Sequence, residues 1–234
     1  MHEDKIPYFY IPISILICAA WTTAFEFFSE LALQKVVARG DLTRPFAEPA
    51  PFYALIEFEG DGEAALEAFE HCLEEGWASD GVVSQSGEQA ARLWRLREDI
   101  SETISAWTPY KNDIAVPVAA VPEFLAAVDE RVTAAYPDLE VVWFGHIGDG
   151  NLHLNILKPD EVSQEAFYER CHRVSPEIFA AVQALGGSIS AEHGVGLLKK
   201  DYLHFSRSEA ERTLMKAVRQ AFDPDGVLNP GKLL

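Results

Sequence analysis

The residues best suited to do chemistry lie in one short run, residues 145–155, GHIGDGNLHLN. Asp149-Gly150 is a preferred dipeptide for a two-residue type I′ hairpin turn, because both positions of that turn need positive φ. With the turn there, His146 and His153 face each other directly on one side of the hairpin, Cβ atoms roughly 5 Å apart. Asn155, two residues beyond His153, shares that face because side chains alternate along a strand. Two imidazoles so placed can chelate one divalent ion at about 2.0–2.1 Å. The plainer alternative is a hydrogen-bonded histidine pair, but a geometrically matched pair in a chain with seven histidines favours metal.

A third ligand is needed, and residues 188–196, SISAEHGVG, offer Glu192 and His193 side by side between small residues. Adjacent side chains of an extended strand point to opposite faces. Gly194 and Gly196 suggest irregular backbone, so both groups can still approach one centre. Alone, the same segment also reads as a glycine-rich turn with an exposed acid.

The elements that must position these groups alternate along the chain. Residues 22–40 carry apolar positions at helical spacing (Phe28, Leu31, Val36) and end at Gly40, which predicts a helix. Residues 52–59, FYALIEFE, predict a strand, followed by a helix over 63–75, a short strand over 82–84 and a helix from 88 to about 104. A strand over 114–118 and a helix over 122–136 come next, then the strand pair 140–146 and 152–157. A long helix over about 163–185, kinked at Pro176, a short strand over 188–191 and a last helix over 208–222 complete the chain. Strands alternate with helices, yet one strand pair is a hairpin. The expected fold is therefore α+β, a largely antiparallel sheet covered by helices.

The chain has 234 residues, room for a substantial core. Its 37 acidic and 19 basic residues give a net charge of −18. That argues against nucleic acid, which needs clustered cations, and against an anionic membrane surface as a partner. An acidic substrate can still bind where a few cations or a metal reverse the field locally. Cys18, Cys72 and Cys171 are odd in number and widely spaced, so neither disulfides nor a thiolate zinc site is indicated, and a reducing, cytoplasmic location is expected. Residues 6–25 carry no charge, nominally enough to span a bilayer. Pro7 and Pro12 interrupt the run and MHEDK is not a basic leader, so residues 1–21 read as a leader of uncertain structure and 22–234 as the domain.

Three ordered motifs, GHIGDGNLHLN, SAEHGVG and the terminal FDPDGVLNPGKLL, resemble the C-terminal domain of the FAD-linked oxidase family. That family includes D-lactate dehydrogenases, D-2-hydroxyglutarate dehydrogenase and the flavin subunit of glycolate oxidase. The resemblance runs from about residue 25 to 234 and implies a ferredoxin-like α+β domain. It implies that His146, His153 and Glu192 hold a divalent metal, zinc or manganese, that His193 is the base for the substrate hydroxyl, and that Asn155 lies near the substrate. WRLREDIS and PYKNDIAVPV further resemble the D-2-hydroxyglutarate type, which implies Arg97, Ser101 and Lys111 as substrate contacts. Arg97 and Ser101, four apart on a predicted helix, share a face, and a serine keeps the hydroxyl of the threonine usual there. Arg supplies a bidentate fork for a carboxylate and Lys a point charge, although both also fit a solvated surface. Asn229, in LNPGK, matches a segment that reaches the flavin, and equally fits a terminal loop.

The implied reaction is oxidation of a D-2-hydroxy acid to a 2-oxo acid with FAD as hydride acceptor. No glycine-rich phosphate loop for a dinucleotide is present, so the flavin-binding domain is expected to be missing from these residues. The chain then acts with a flavin-binding domain or subunit, and an uncovered face favours self-association. Rival readings are a stand-alone metal-binding or hydrolytic domain around the same three ligands, and a non-catalytic fragment that assembles with a partner chain.

Overall fold

A strand rich in aromatic residues, Trp21–Ser29 (β1, WTTAFEFFS), runs through the sheet beside Phe52–Glu59 (β2) and Val141–His146 (β4), antiparallel to both. The computed structural model describes residues 21–59 and 62–232. Strands Tyr110–Ala115 (β3) and Asn151–Ile156 (β5) complete one antiparallel sheet in the order β2-β1-β4-β5-β3. The expected α+β class holds. The helices are Glu30–Val37 (α1), Gly62–Glu74 (α2), Gly87–Glu98 (α3), Ile100–Ile104 (α4), Val121–Ala135 (α5), Gln164–Ala184 (α6), Gly196–Lys199 (α7) and Glu209–Phe222 (α8). Among the described residues no helix is long and apolar enough to cross a membrane. The leader expected over residues 1–21 lies almost wholly outside the described residues, and Trp21 already belongs to β1.

The helix expected over 22–40 is corrected to a strand and a shorter helix. Aromatic residues favour a pleated, half-buried surface, and Phe27 and Phe28 are buried on opposite sides of β1. The switch occurs at Ser29, whose Oγ accepts from the Ala32 amide at 3.4 Å as the cap of α1 and from the Trp143 amide of β4 at 3.2 Å. The helical spacing is real only beyond that point, where Ala32, Leu33 and Val36 are buried. The strand expected over 82–84 is absent; those residues form no regular element. The strand expected over 188–191 reduces to a bridge between Ser188 and Ala115 at the end of β3.

Each sheet face has its own helices. On one, Trp143, Leu152, Leu154, Ile156 and Ile114 pack against Phe124, Val128 and Val132 of α5 and Phe167, Ile178 and Phe179 of α6. On the other, Phe28, Val142 and Phe144 pack against α1, Leu96 of α3, and Ile100 and Ile104 of α4. That second cluster draws on β1, β2 and β4, together with Leu157 just past β5. Along β3 and β5 the same face carries the polar residues Lys111, Asp113, Asn151, His153 and Asn155.

The β4–β5 connection depends on glycine at one position. Gly150 has φ +76°, and a Cβ there would lie 1.9 Å from the Val116 carbonyl oxygen, which no small shift relieves. Gly40 has φ +90° but open space around it. Gly150→Ala should therefore cost more than about 3 kcal/mol in urea denaturation, and Gly40→Ala only the left-handed penalty of about 1–2 kcal/mol. Equal, small losses at both would show that the loop packs less tightly on Val116.

Candidate active site

The hairpin that carries the histidines is built differently from the two-residue turn expected at Asp149-Gly150. Ile147–Asp149 form a 3-10 turn, only Gly150 is left-handed, and the Gly150 amide donates to the Ile147 carbonyl at 3.2 Å. Asp149 has no positive φ, and its Oδ1 accepts from the Asn151 amide at 3.1 Å. The loop is therefore two residues longer, and the register moves with it. His146 pairs with Asn151, and His153 pairs with Phe144, so the two histidines are diagonal rather than directly opposite. A shift of two residues keeps every side chain on its original face. The rings consequently still meet, centroids 5.6 Å apart and nearly perpendicular.

Glu192 reaches the same face along the edge of β3. Ser188 exchanges both backbone bonds with Ala115, and the Ala191 amide donates to the Asp113 carbonyl at 3.3 Å. The Glu192 amide then donates to Asp113 Oδ2 at 3.0 Å. Its carboxylate Oε1 accepts from Asn151 Nδ2 at 2.6 Å and lies 3.3 Å from His146 Nε2. One ligand atom each from His146, His153 and Glu192 lie within 4.8 Å of one another. Two ligands in one tetrahedral shell at about 2.0–2.1 Å stand about 3.4 Å apart, so the His146–Glu192 spacing suits a shared ion and the donor set of two nitrogens and one oxygen suits zinc or manganese.

Behind the triad lies a buried ion pair. Glu26 of β1, 5% exposed, meets Arg97 of α3, 7% exposed, at 2.9 Å between Oε2 and Nη2. Its other oxygen, Oε1, is 2.8 Å from His146 Nδ1. The Arg97 guanidinium also lies over the Phe144 ring at 4.8 Å, and that ring is 4.9 Å from His153. Burial lowers the Arg97 pKa, opposed by the charge of Glu26. Burial likewise pushes the His153 imidazole down to about 4; the Asp113 carboxylate opposes this, while Arg97, His146 and His193 add to it. At pH 7 the ring is neutral, the form that ligates a metal. Lys199 of α7 is pushed by burial down to about 8, partly offset by Asp113.

The remaining expected residues are placed as follows. His193 is exposed beside Glu192, near enough to His153 to oppose its protonation. Asn155, 2% exposed, and Lys111, exposed, face each other across β5 and β3 on the triad's side of the sheet. Ser101 is exposed on α4, just past the break that Asp99 makes between α3 and α4. Asn229 is exposed at φ +43° in the terminal loop, its carbonyl accepting from the Lys232 amide. The described contacts join neither Ser101 nor Asn229 to the triad. Sequence reasoning missed Glu26, Asp113, Asn151 and Lys199. Glu26 had a usable signal, a lone carboxylate in the apolar run AFEFF.

Residues 15–233 match the family model described as FAD linked oxidases, C-terminal domain. The chain belongs to this family. It is 60% identical over 215 residues to the D-2-hydroxyglutarate dehydrogenase of Stutzerimonas stutzeri (strain A1501), covering 90% of this chain and 46% of that protein. It is 35% identical over 226 residues to a putative mitochondrial D-lactate dehydrogenase of Schizosaccharomyces pombe (strain 972), covering 90% of this chain and 42% of that one. The chain thus spans about half the length of the curated relatives it matches. Among solved structures, 4-ethylphenol oxidase from Gulosibacter chungangensis in its isoeugenol complex superposes with a TM-score of 0.60 at 15% identity, over 99% of this chain and 51% of that one. p-Cresol methylhydroxylase with substrate bound gives 0.54 at 12% identity, over 89% and 46%. These two likenesses establish the fold of this FAD-linked oxidase domain and nothing about its substrate.

Acid should act on this site through His153. Between pH 6.5 and about 4 the unfolded chain holds a proton on this ring that the folded chain lacks, so stability falls as pH drops through that window. NMR titration should give His153 a midpoint below 5, and His153→Gln should lose this share of the acid sensitivity. A midpoint at 6.5 or above would show that burial does not outweigh the charge of Asp113 at this ring.

Proposed function

We propose that this chain is the substrate side of an FAD-dependent dehydrogenase that oxidises a D-2-hydroxy acid of the D-2-hydroxyglutarate class to its 2-oxo acid, with a divalent metal held by His146, His153 and Glu192. The observation that carries the proposal is the convergence of those three ligand atoms within 4.8 Å on one sheet face. The relatives named D-2-hydroxyglutarate dehydrogenase, led by the Stutzerimonas protein at 60% identity, supply the substrate class.

Each residue has a chemical task. The exposed His193 imidazole takes the substrate hydroxyl proton as general base. Lys111, and the field of Arg97 behind Glu26, supply positive charge for carboxylates in a chain of net charge −18. Asn155 orients the substrate from the floor of the face, and Ser101 offers a hydroxyl from the neighbouring helix. When bound, the metal supplies Lewis acidity at the substrate oxygens and the flavin supplies the hydride acceptor.

Flavin binding is assigned to the part of the relatives that this chain does not match. The surface offers a face for it. None of the residues of α8 is buried, and Leu214, Val218 and Phe222, spaced four apart, form an exposed apolar stripe with Phe222 at 82% exposure. Val227 and Leu228 are exposed just beyond it. An apolar stripe of this kind is a surface that a partner domain covers. Asn229, one residue further on, then lies at the domain boundary.

Two measurements test this reading. Elemental analysis should find zinc or manganese in the purified chain and a loss of it in a His146→Ala, His153→Ala double variant; equal content in both would remove the metal site. Mixed with the flavin-binding portion of the Stutzerimonas relative, the chain should restore dye reduction with D-2-hydroxyglutarate. Phe222→Asp should abolish the association, and His193→Asn should lower kcat by about 10²–10⁴-fold. Unchanged turnover in the His193 variant would assign the base elsewhere.

A further inference from the structure

Each proposed metal-binding histidine is directly paired across the sheet with a carboxylate from the strand outside it. The β1–β4 register sets Glu26 opposite His146, and the β3–β5 register sets Asp113 opposite His153. In both pairs the carboxylate meets the same ring atom. Glu26 Oε1 is 2.8 Å from His146 Nδ1, and Asp113 Oδ1 is 3.4 Å from His153 Nδ1. These two strands flank the hairpin on opposite sides, so one arrangement has been built twice from different sequence segments.

The chemistry of a neutral imidazole makes this pairing decisive. One ring nitrogen carries a proton and the other a lone pair. A carboxylate oxygen only accepts, so a lone pair at Nδ1 would face another lone pair. Asp113 Oδ1 is buried without a hydrogen-bond partner, and His153 Nδ1, 3.4 Å away, is the donor placed to supply one by a small adjustment of the ring. The Glu26 carboxylate is likewise enclosed, its second oxygen 2.9 Å from Arg97 Nη2 in an ion pair whose geometry makes no hydrogen bond. His146 Nε2 meanwhile points to Glu192 Oε1 at 3.3 Å.

We infer that Glu26 and Asp113 are positioning residues that hold a proton on Nδ1 of His146 and of His153, leaving both Nε2 atoms to share an ion with Glu192. A bare Nε2 at His146, which without an ion would set a lone pair against Glu192 Oε1, rests on the metal reading proposed above; the Nδ1 protons do not. Asp113 adds a second constraint, because its Oδ2 accepts from the Glu192 amide and so ties the third ligand to the same side chain. Arg97 acts here through Glu26, as the counter-charge that keeps the carboxylate in place. Groups of this kind, which orient a ligating histidine, typically alter metal affinity by about 10–100-fold when lost.

The test uses the whole ¹⁵N-labelled chain without metal at pH 7.5, reading both imidazoles by long-range ¹H–¹⁵N correlation. The wild type should show a protonated Nδ1 at both rings and a bare Nε2 at His153, with His146 Nε2 bare once zinc is added. A bare Nδ1 at either ring would overturn the inference for that pair, with no variant required. Asp113→Asn, which can present an N–H to the ring, should shift His153 toward the Nε2–H form while leaving His146 unchanged. Zinc titration of the same variant should show affinity about 10–100-fold weaker than wild type. A variant with unchanged tautomer and unchanged zinc affinity would overturn the role of Asp113. Zinc refused by a wild type that does show both Nδ1–H tautomers would sink the metal reading and leave the tautomer assignment standing.

Discussion

The buried ion pair between Glu26 and Arg97 is the interaction on which the site depends. Charges so enclosed persist only when paired, and removing one partner of such a pair typically costs about 3–5 kcal/mol. Because Glu26 sits in the strand between β2 and β4, the pair ties α3 to the middle of the sheet. The same carboxylate holds His146, and the same guanidinium covers Phe144, whose ring packs against His153. One interaction thus joins a helix, two strands and both histidines. A hydrophobic substitution for the pair could preserve the fold, but it would leave His146 Nδ1 without its acceptor.

Face asymmetry explains where function can sit. α5 and α6 cover β3, β4 and β5 on one face of the sheet, and most residues there go into packing. On the other face α1, α3 and α4 pack over β1, β2 and β4, and the polar residues of β3 and β5 remain. Alternation along two strands then delivers Lys111, Asp113, Asn151, His153 and Asn155 to one surface without any unusual backbone. Only the β4–β5 loop and the stretch around Glu192 need special conformations. Rigid strands supply most of the site, and two short segments complete it.

Charge has been concentrated in a similar way. The chain is strongly acidic, yet Arg97, Lys111 and Lys199 lie on or beside the site. Burial lowers the pKa of Arg97 and Lys199, and burial of a cation is unfavourable without compensating charge. Glu26 and Asp113 supply that charge, and the same two carboxylates face the histidines. Positioning of the imidazoles and storage of positive charge are therefore coupled through shared residues.

The residue order alone was enough to reveal the hairpin, its two histidines on one face, the SAEHG glutamate as a neighbour of that pair and the α+β class. Each rests on local periodicity or a motif, and periodicity survives errors of register: the loop proved two residues longer, yet parity kept His146 and His153 together. Strand or helix for residues 22–29 was not decidable locally, because aromatic spacing there fits both periods and the pairing partners β2 and β4 lie far along the chain. Glu26 stood out as a lone carboxylate in AFEFF, but its partner, and the role of Asp113, were out of reach for the same reason. A lone carboxylate in a strand becomes a histidine's partner only when the sheet order β2-β1-β4-β5-β3 brings it alongside, and that order is set by long-range packing of two helical layers rather than by any local signal.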